Sequence, residues 1–167
     1  VNGTREFCHL VSATEVQAGD TTSAARRIVI ATGSSPLVPP IDGIDTVPYL
    51  TNETLWELRE RPDHLLIIGG GPIGMEMAQA HVRLGSKVTV IEGAKALGKD
   101  DPEMAEIVLD NLRSEGVEIV EEAKASRIEN VEAQVTLNKE YGLSFTGSHK
   151  QLADGRKTDT GNLKLDA

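Results

Sequence analysis

Six residues constrain this chain more than any other stretch: Gly69-Gly70-Gly71-Pro72-Ile73-Gly74. They fit the spacing G-x-G-x-x-G, which carries little information alone and much more when it follows a strand and opens a helix. Both conditions are met. His64 to Ile68 is an apolar run of strand length, and Pro72 to Leu84 keeps helical spacing until Gly85 closes it from the left-handed C-terminal position. In such a turn Gly69 permits the tight bend, Gly71 lets the backbone approach a diphosphate, and Gly74 allows close helix–strand packing. The anion would meet free N–H groups at the positive end of the helix dipole. Lys87 to Ile91 reads as the next strand and ends at Glu92, eighteen residues past Gly74. A carboxylate there can accept both hydroxyls of an adenosine ribose, so the segment is expected to bind a dinucleotide. A glycine turn used only for packing, with Glu92 a solvated loop residue, is the structural alternative.

Glu92 also bears on the choice of cofactor. Two unit charges about 4 Å apart repel by about 4 kcal/mol at an effective dielectric near 20. Half of that would still disfavour a 2′-phosphate more than tenfold. Lys95 and Lys99 are close in sequence but off the strand end, so NAD(H) is expected to be preferred over NADP(H).

The remaining elements extend the pattern. Asp101 is placed to cap a helix with Pro102 at its first position, and Met104, Ile107, Val108 and Leu112 keep helical spacing. Gly116 stops that helix, and Val117 to Val120 gives a third strand. Strand, helix, strand, helix, strand implies a parallel sheet with crossover helices. After Ala125 the helical period is lost, and short antiparallel strands are expected around Arg127-Ile128, Val135 to Leu137 and Leu143 to Phe145, with turns at Asn130 and Tyr141-Gly142. On the N-terminal side, Val1 to Ala18 is strand-like, with Phe7, His9, Val11 and Ala13 on one face. Residues 26–34 read as a buried strand ending in a glycine turn. Pro36, Pro39, Pro40 and Pro48 make an extended connector. A short helix is expected after it, capped by Thr51 or Asn52, with Leu55, Trp56 and Leu58 apolar and Pro62 at its end. The fold class expected is thus α/β, a Rossmann-like parallel sheet plus a small antiparallel meander.

Composition narrows the partners. Seventeen Lys and Arg against 26 Asp and Glu give a net charge of −9, which repels a phosphate backbone, so nucleic acid is not an expected partner. The apolar runs are far too short to span a membrane. A charged-then-apolar leader is not seen, so a cytoplasmic location is expected, and the start at Val1 rather than Met suggests a fragment or a processed product. The single cysteine, Cys8, excludes a disulfide within the chain, and a small buried thiol is its expected role. Histidines 9, 64, 81 and 149 form no spaced catalytic or metal-binding cluster.

Several of these motifs, in this order, resemble the central part of the pyridine nucleotide–disulfide oxidoreductases, the group of dihydrolipoamide dehydrogenase, glutathione reductase and mercuric reductase. The resemblance rests on Ile28-Val29-Ile30-Ala31-Thr32-Gly33-Ser34, the proline connector, residues 69–78 and Val88-Thr89-Val90-Ile91-Glu92. It implies an FAD-domain remnant and connector over 1–50, an NAD(H)-binding domain over 51–148 and a return segment toward the FAD domain over 149–167. It further implies that Gly69, Gly71, Pro72, Ile73 and Gly74 surround the pyrophosphate, Glu92 the ribose, and Glu76 the nicotinamide carboxamide. By the same resemblance, the FAD glycine motif and redox cysteine pair would precede Val1. The dimerisation domain of these homodimeric enzymes would follow Ala167. FAD would then belong to the full-length enzyme only, and the chain itself would bind dinucleotide without turnover. Where the family has an apolar strand, this chain has His149-Lys150-Gln151-Leu152-Ala153-Asp154. Polar side chains are costly inside a sheet, so an exposed or detached edge strand is expected there. The alternatives from other classes are a non-enzymatic nucleotide-responsive interaction module and a methyltransferase-like domain. The second is disfavoured because Ile67-Ile68 stands where an acidic residue would open its glycine loop.

Overall fold

The computed structural model describes residues 3–131, 134–139 and 144–165. It divides into two compact units, Val1–Ser35 with Arg156–Ala167, and Pro36–Gly155.

The smaller unit holds an antiparallel meander of β1 (Cys8–Ser12), β2 (Glu15–Ala18) and β3 (Thr21–Ala24). Gly19, at φ +56°, turns β2 into β3. The expected apolar face is not buried: Phe7 precedes the first strand and is 93 % exposed. Residues 26–33 do not form the buried strand their composition predicts. Only β4 (Ser34–Pro36) is regular, and Val29 is 86 % exposed. An apolar run becomes a strand only where a sheet receives it, and here none of the described strands pairs with residues 28–33. Cys8, expected to be buried, is exposed at the start of β1.

The larger unit carries the parallel sheet. In chain order it contains β5 (His64–Ile68), α1 (Pro72–Arg83), β6 (Lys87–Ile91), α2 (Pro102–Ser114) and β7 (Glu118–Val120). An antiparallel meander follows, of β8 (Ala125–Val131), β9 (Gln134–Lys139) and β10 (Ser144–Gly147), and then β11 (His149–Leu152). The last short strand, β12 (Arg156–Thr158), belongs to the smaller unit, where it pairs with β4. The main sheet runs β11-β5-β6-β7, with every neighbouring pair parallel. Leu65, Leu66 and Ile67 are wholly buried because the sheet is covered on both faces, which is why β5 reads as a continuous apolar run. One face packs Leu65, Ile67, Val88 and Val90 against Met75, Ala78, Ala105, Leu109 and Leu112 of the helices. The other packs Leu66, Ile68 and Ile91 against Ile41, Ile44 and Val47 of the connector, with Ile128 and Leu152. Each of the buried Leu, Ile, Val and Met side chains contributes about 1.5–3 kcal/mol on burial.

Four further expectations are corrected by the fold. In α2 the inward residues are Ala105, Leu109 and Leu112, while Met104, Ile107 and Val108 are exposed. The small Ala105 lets the helix lie close, so the apolar stripe facing the sheet is narrower than the sequence suggests. The helix expected after Thr51 is a single 3-10 turn, Leu55–Glu57. Thr51 Oγ1 accepts from the Glu53 and Thr54 amides just before the turn, and within it only Leu55 is buried while Trp56 is 70 % exposed. With one anchoring residue, a longer helix has too little burial to offset its nucleation cost. Asn130 lies within β8, opposite Val135, and not at a turn; the turn expected at Tyr141-Gly142 lies outside the described residues. Finally, β11 is an edge strand but not an exposed one, since Lys150 and Gln151 are fully buried. The connector covers them: Leu50 N–H donates to the Lys150 carbonyl and Leu152 N–H to the Leu50 carbonyl. Lys150 Nζ donates to the Val47 carbonyl at 3.3 Å and sits 5.9 Å from the centre of the Tyr49 ring.

Candidate functional site

The β5–α1 turn places its glycines for separable reasons. Gly69 stands at φ +106°, and a Cβ there would lie 2.5 Å from the Ala153 carbonyl and 2.7 Å from the Asp154 nitrogen, so both conformation and packing demand glycine. A Cβ on Gly74 would collide with the Gly69 carbonyl, which is the close helix–strand approach the sequence predicts. Gly71 differs from both. Its φ of −78° suits any residue, and its missing Cβ would meet nothing within 4 Å. It faces open space at the head of α1, where Pro72 occupies the first turn and no side chain caps the free amides. By contrast, α2 is capped by Asp101, whose Oδ1 accepts from Glu103 and Met104 at 3.0 and 3.4 Å. One helix N-terminus is satisfied from within and the other is left open.

Glu92 sits beside that opening. Its carboxylate accepts the Gly70 amide at 2.7 Å through Oε2 and the Ala94 amide at 2.8 Å through Oε1. Those two bonds fix its orientation, and a carboxylate with about four acceptor positions keeps two for a ligand. Gly70 brings the turn and β6 together: a Cβ on it would be 3.0 Å from Glu92 Cβ and 3.2 Å from Ala96 Cβ. The loop after β6 folds back over the turn through Leu97 N–H to the Gly70 carbonyl, at 2.8 Å, with Leu97 itself at φ +51°.

A cleft of about 600 Å³ results, which includes Gly69, Gly71, Pro72, Ile73 and Glu92 among its lining residues. Lys95, Lys99, Asp100 and Asp154 also reach it, so cations and carboxylates share the rim. Gly74 lies buried behind the turn. Glu76 is exposed on α1 and lines a separate groove of about 320 Å³ with Met75, Gln79, Met104 and Val108, which meets the cleft at Pro72, Leu97 and Asp100. Gly70, the Ala94 amide and Asp154 escaped the sequence reading. Gly70 is a variable position of the motif, and the other two reach the turn only through the fold. The Asp154 side chain is exposed at the rim, yet loss of water on its cleft side first and the Glu92 charge second hold its carboxyl above the usual carboxylate range, with Lys99 opposing.

Among the described residues, no group of three His, Cys, Asp or Glu side chains could hold a metal ion. No described helix is long and apolar enough to cross a membrane.

The sequence model of the family described as "Pyridine nucleotide-disulphide oxidoreductase" matches residues 3–167. The chain is 38 % identical over 151 residues to a mercuric reductase of Streptomyces lividans, covering 89 % of this chain and 32 % of that protein. It is 36 % identical over 165 residues to a mercuric reductase of Lysinibacillus sphaericus, covering 94 % and 30 %. Among solved structures it superposes on the HOCl-induced flavoprotein disulfide reductase RclA of Escherichia coli with a TM-score of 0.79. That pair shares 33 % identity over 95 % of this chain and 37 % of that one. LpdA of Mycobacterium tuberculosis gives a TM-score of 0.78 at 28 % identity, covering 96 % and 38 %. The chain therefore spans about a third of the length of these relatives. A family match across 165 residues, with the α/β sheet and the glycine turn in place, shows that this chain belongs to the pyridine nucleotide–disulphide oxidoreductases.

Proposed function

We propose that this chain is the NAD(H)-binding portion of an FAD-dependent oxidoreductase and holds the dinucleotide in the cleft above the β5–α1 turn. The observation that carries this reading is Gly71: neither its φ nor its surroundings require glycine, and the space a Cβ would fill opens into the cleft. A ligand approaching the backbone closely supplies the missing reason. The uncapped amides at the head of α1 would donate to the diphosphate oxygens, aided by the helix dipole. Glu92, oriented by the Gly70 and Ala94 amides, would accept the adenosine ribose hydroxyls with its remaining lone pairs and repel a 2′-phosphate. Glu76, in the adjoining groove, would orient the nicotinamide carboxamide.

When bound, the nicotinamide supplies a hydride, which in the whole enzyme would pass to FAD and on to a disulfide or another acceptor. This chain contributes binding and orientation to that reaction, and by itself would bind dinucleotide without turnover. The whole protein is proposed to be cytoplasmic and, as the family resemblance implies, a homodimer.

Fluorescence titration with NADH tests the reading. Glu92→Ala should weaken binding about tenfold or more, the loss expected when two charge-assisted hydrogen bonds disappear. The wild-type chain should bind NADPH more than about tenfold less tightly than NADH. Undiminished NADH affinity in the variant would contradict the ribose contact.

A further inference from the structure

Asp154 is a carboxylate that lines the same cleft as Glu92 and feels its charge. The backbone there packs on the turn, with the Asp154 nitrogen 2.7 Å from where a Gly69 Cβ would be, so the Asp154 backbone is held beside the glycines while its side chain is exposed at the rim. We propose that Asp154 sets the affinity of the cleft for an anionic dinucleotide, opposing the diphosphate when ionised and admitting it when protonated. The inference rests on the dinucleotide reading above and assigns the residue that tunes it.

The charges around Asp154 are unevenly matched. Glu92 projects from the end of β6, and Lys95, Lys99 and Asp100 come from the loop that follows. On its own segment, Arg156 is committed to Ser34, with Nε donating to Oγ at 2.7 Å. Glu92 already spends two acceptor positions on backbone amides, whereas no hydrogen bond is assigned to the Asp154 carboxylate among the described residues. The lysines balance two of the three carboxylates, and a diphosphate adds further negative charge to the same space. The carboxyl's raised titration, caused by loss of water on its cleft side and then by Glu92, agrees with a site that resists another anion. Binding would then take up a proton, because the diphosphate raises the Asp154 pKa further.

The test is NADH titration of the 167-residue chain, of Asp154→Asn and Asp154→Ser, and of Glu92→Ala, at about pH 8 and about pH 5.5, with folding checked by thermal melts. At the higher pH both Asp154 variants should bind NADH about fivefold more tightly than wild type, the repulsion expected between partly solvated charges. Wild-type affinity should rise as the pH falls, and the advantage of the variants should shrink. Uncharged adenosine, as a probe, should bind wild type and both variants alike. NADH binding that is equal in wild type and in the Asp154 variants at both pH values overturns this proposal and leaves the dinucleotide reading standing. NADH binding absent from every protein overturns that reading and the proposal with it.

Discussion

Gly69 and Gly71 lie two residues apart and answer to different demands. Gly69 is fixed by a left-handed φ and by the Ala153 carbonyl, so Gly69→Ala should destabilise the fold by about 2 kcal/mol or more, read as a drop in Tm. Gly71 has neither constraint, so Gly71→Ala should leave Tm within a degree or two and yet cut NADH affinity about tenfold or more. Destabilisation by the second change would show a packing role and remove the main support for a ligand there. The bend at Gly69 and the close packing at Gly74 were legible in the sequence because they belong to a local strand–turn–helix geometry. Asp154 was not, since it is distant in sequence and meets Gly69 only through the pairing of β11 with β5. Cys8 was misread for a related reason: cysteine is usually buried, but a residue type does not specify that a partner surface is present.

Among the elements, those with strong periodicity and end signals came through. β5, β6, α1 and α2 are bounded by Gly85, Asp101, Pro102 and Gly116 as their sequences predict. β11 did not, because polar residues argue for exposure unless another segment covers them, and the Tyr49–Leu50 stretch that does so is remote in sequence. Its buried lysine has a measurable cost. Lys150 is pushed down to about 8 by burial, so the folded state disfavours the charged amine that the unfolded chain holds up to about 10.5. Because the folded pKa is the lower one, stability should rise with pH between about 8 and 10.5, and the full penalty applies below about 8. Lys150→Met should therefore stabilise the chain by about 1–2 kcal/mol at neutral pH, after allowance for the Val47 carbonyl and Tyr49 contacts it loses. The gain should fade as the pH approaches about 10.5. Chemical denaturation across that range measures it, and a gain independent of pH would place the cause elsewhere.

For the whole molecule, the parallel sheet and the cleft both lie within Pro36–Gly155, while the exposed Val29 and Ile30 belong to the smaller unit. The strand expected over residues 26–34 depends on a sheet that the described strands do not provide, which is why its local signal misled. If that segment is a remnant of an FAD domain, it offers only a minor contact surface. The purified chain should then lack stoichiometric flavin by visible absorbance, and a yellow protein would contradict the assignment. The central claim, that the turn and Glu92 together hold a dinucleotide, is tested most directly by an amide NMR titration with NADH. The account predicts that the largest shifts fall on Gly70, Gly71, Ile73 and Gly74, on Glu92 to Lys95, and on Asp154. Shifts confined to other residues, or none at saturating NADH, would contradict it.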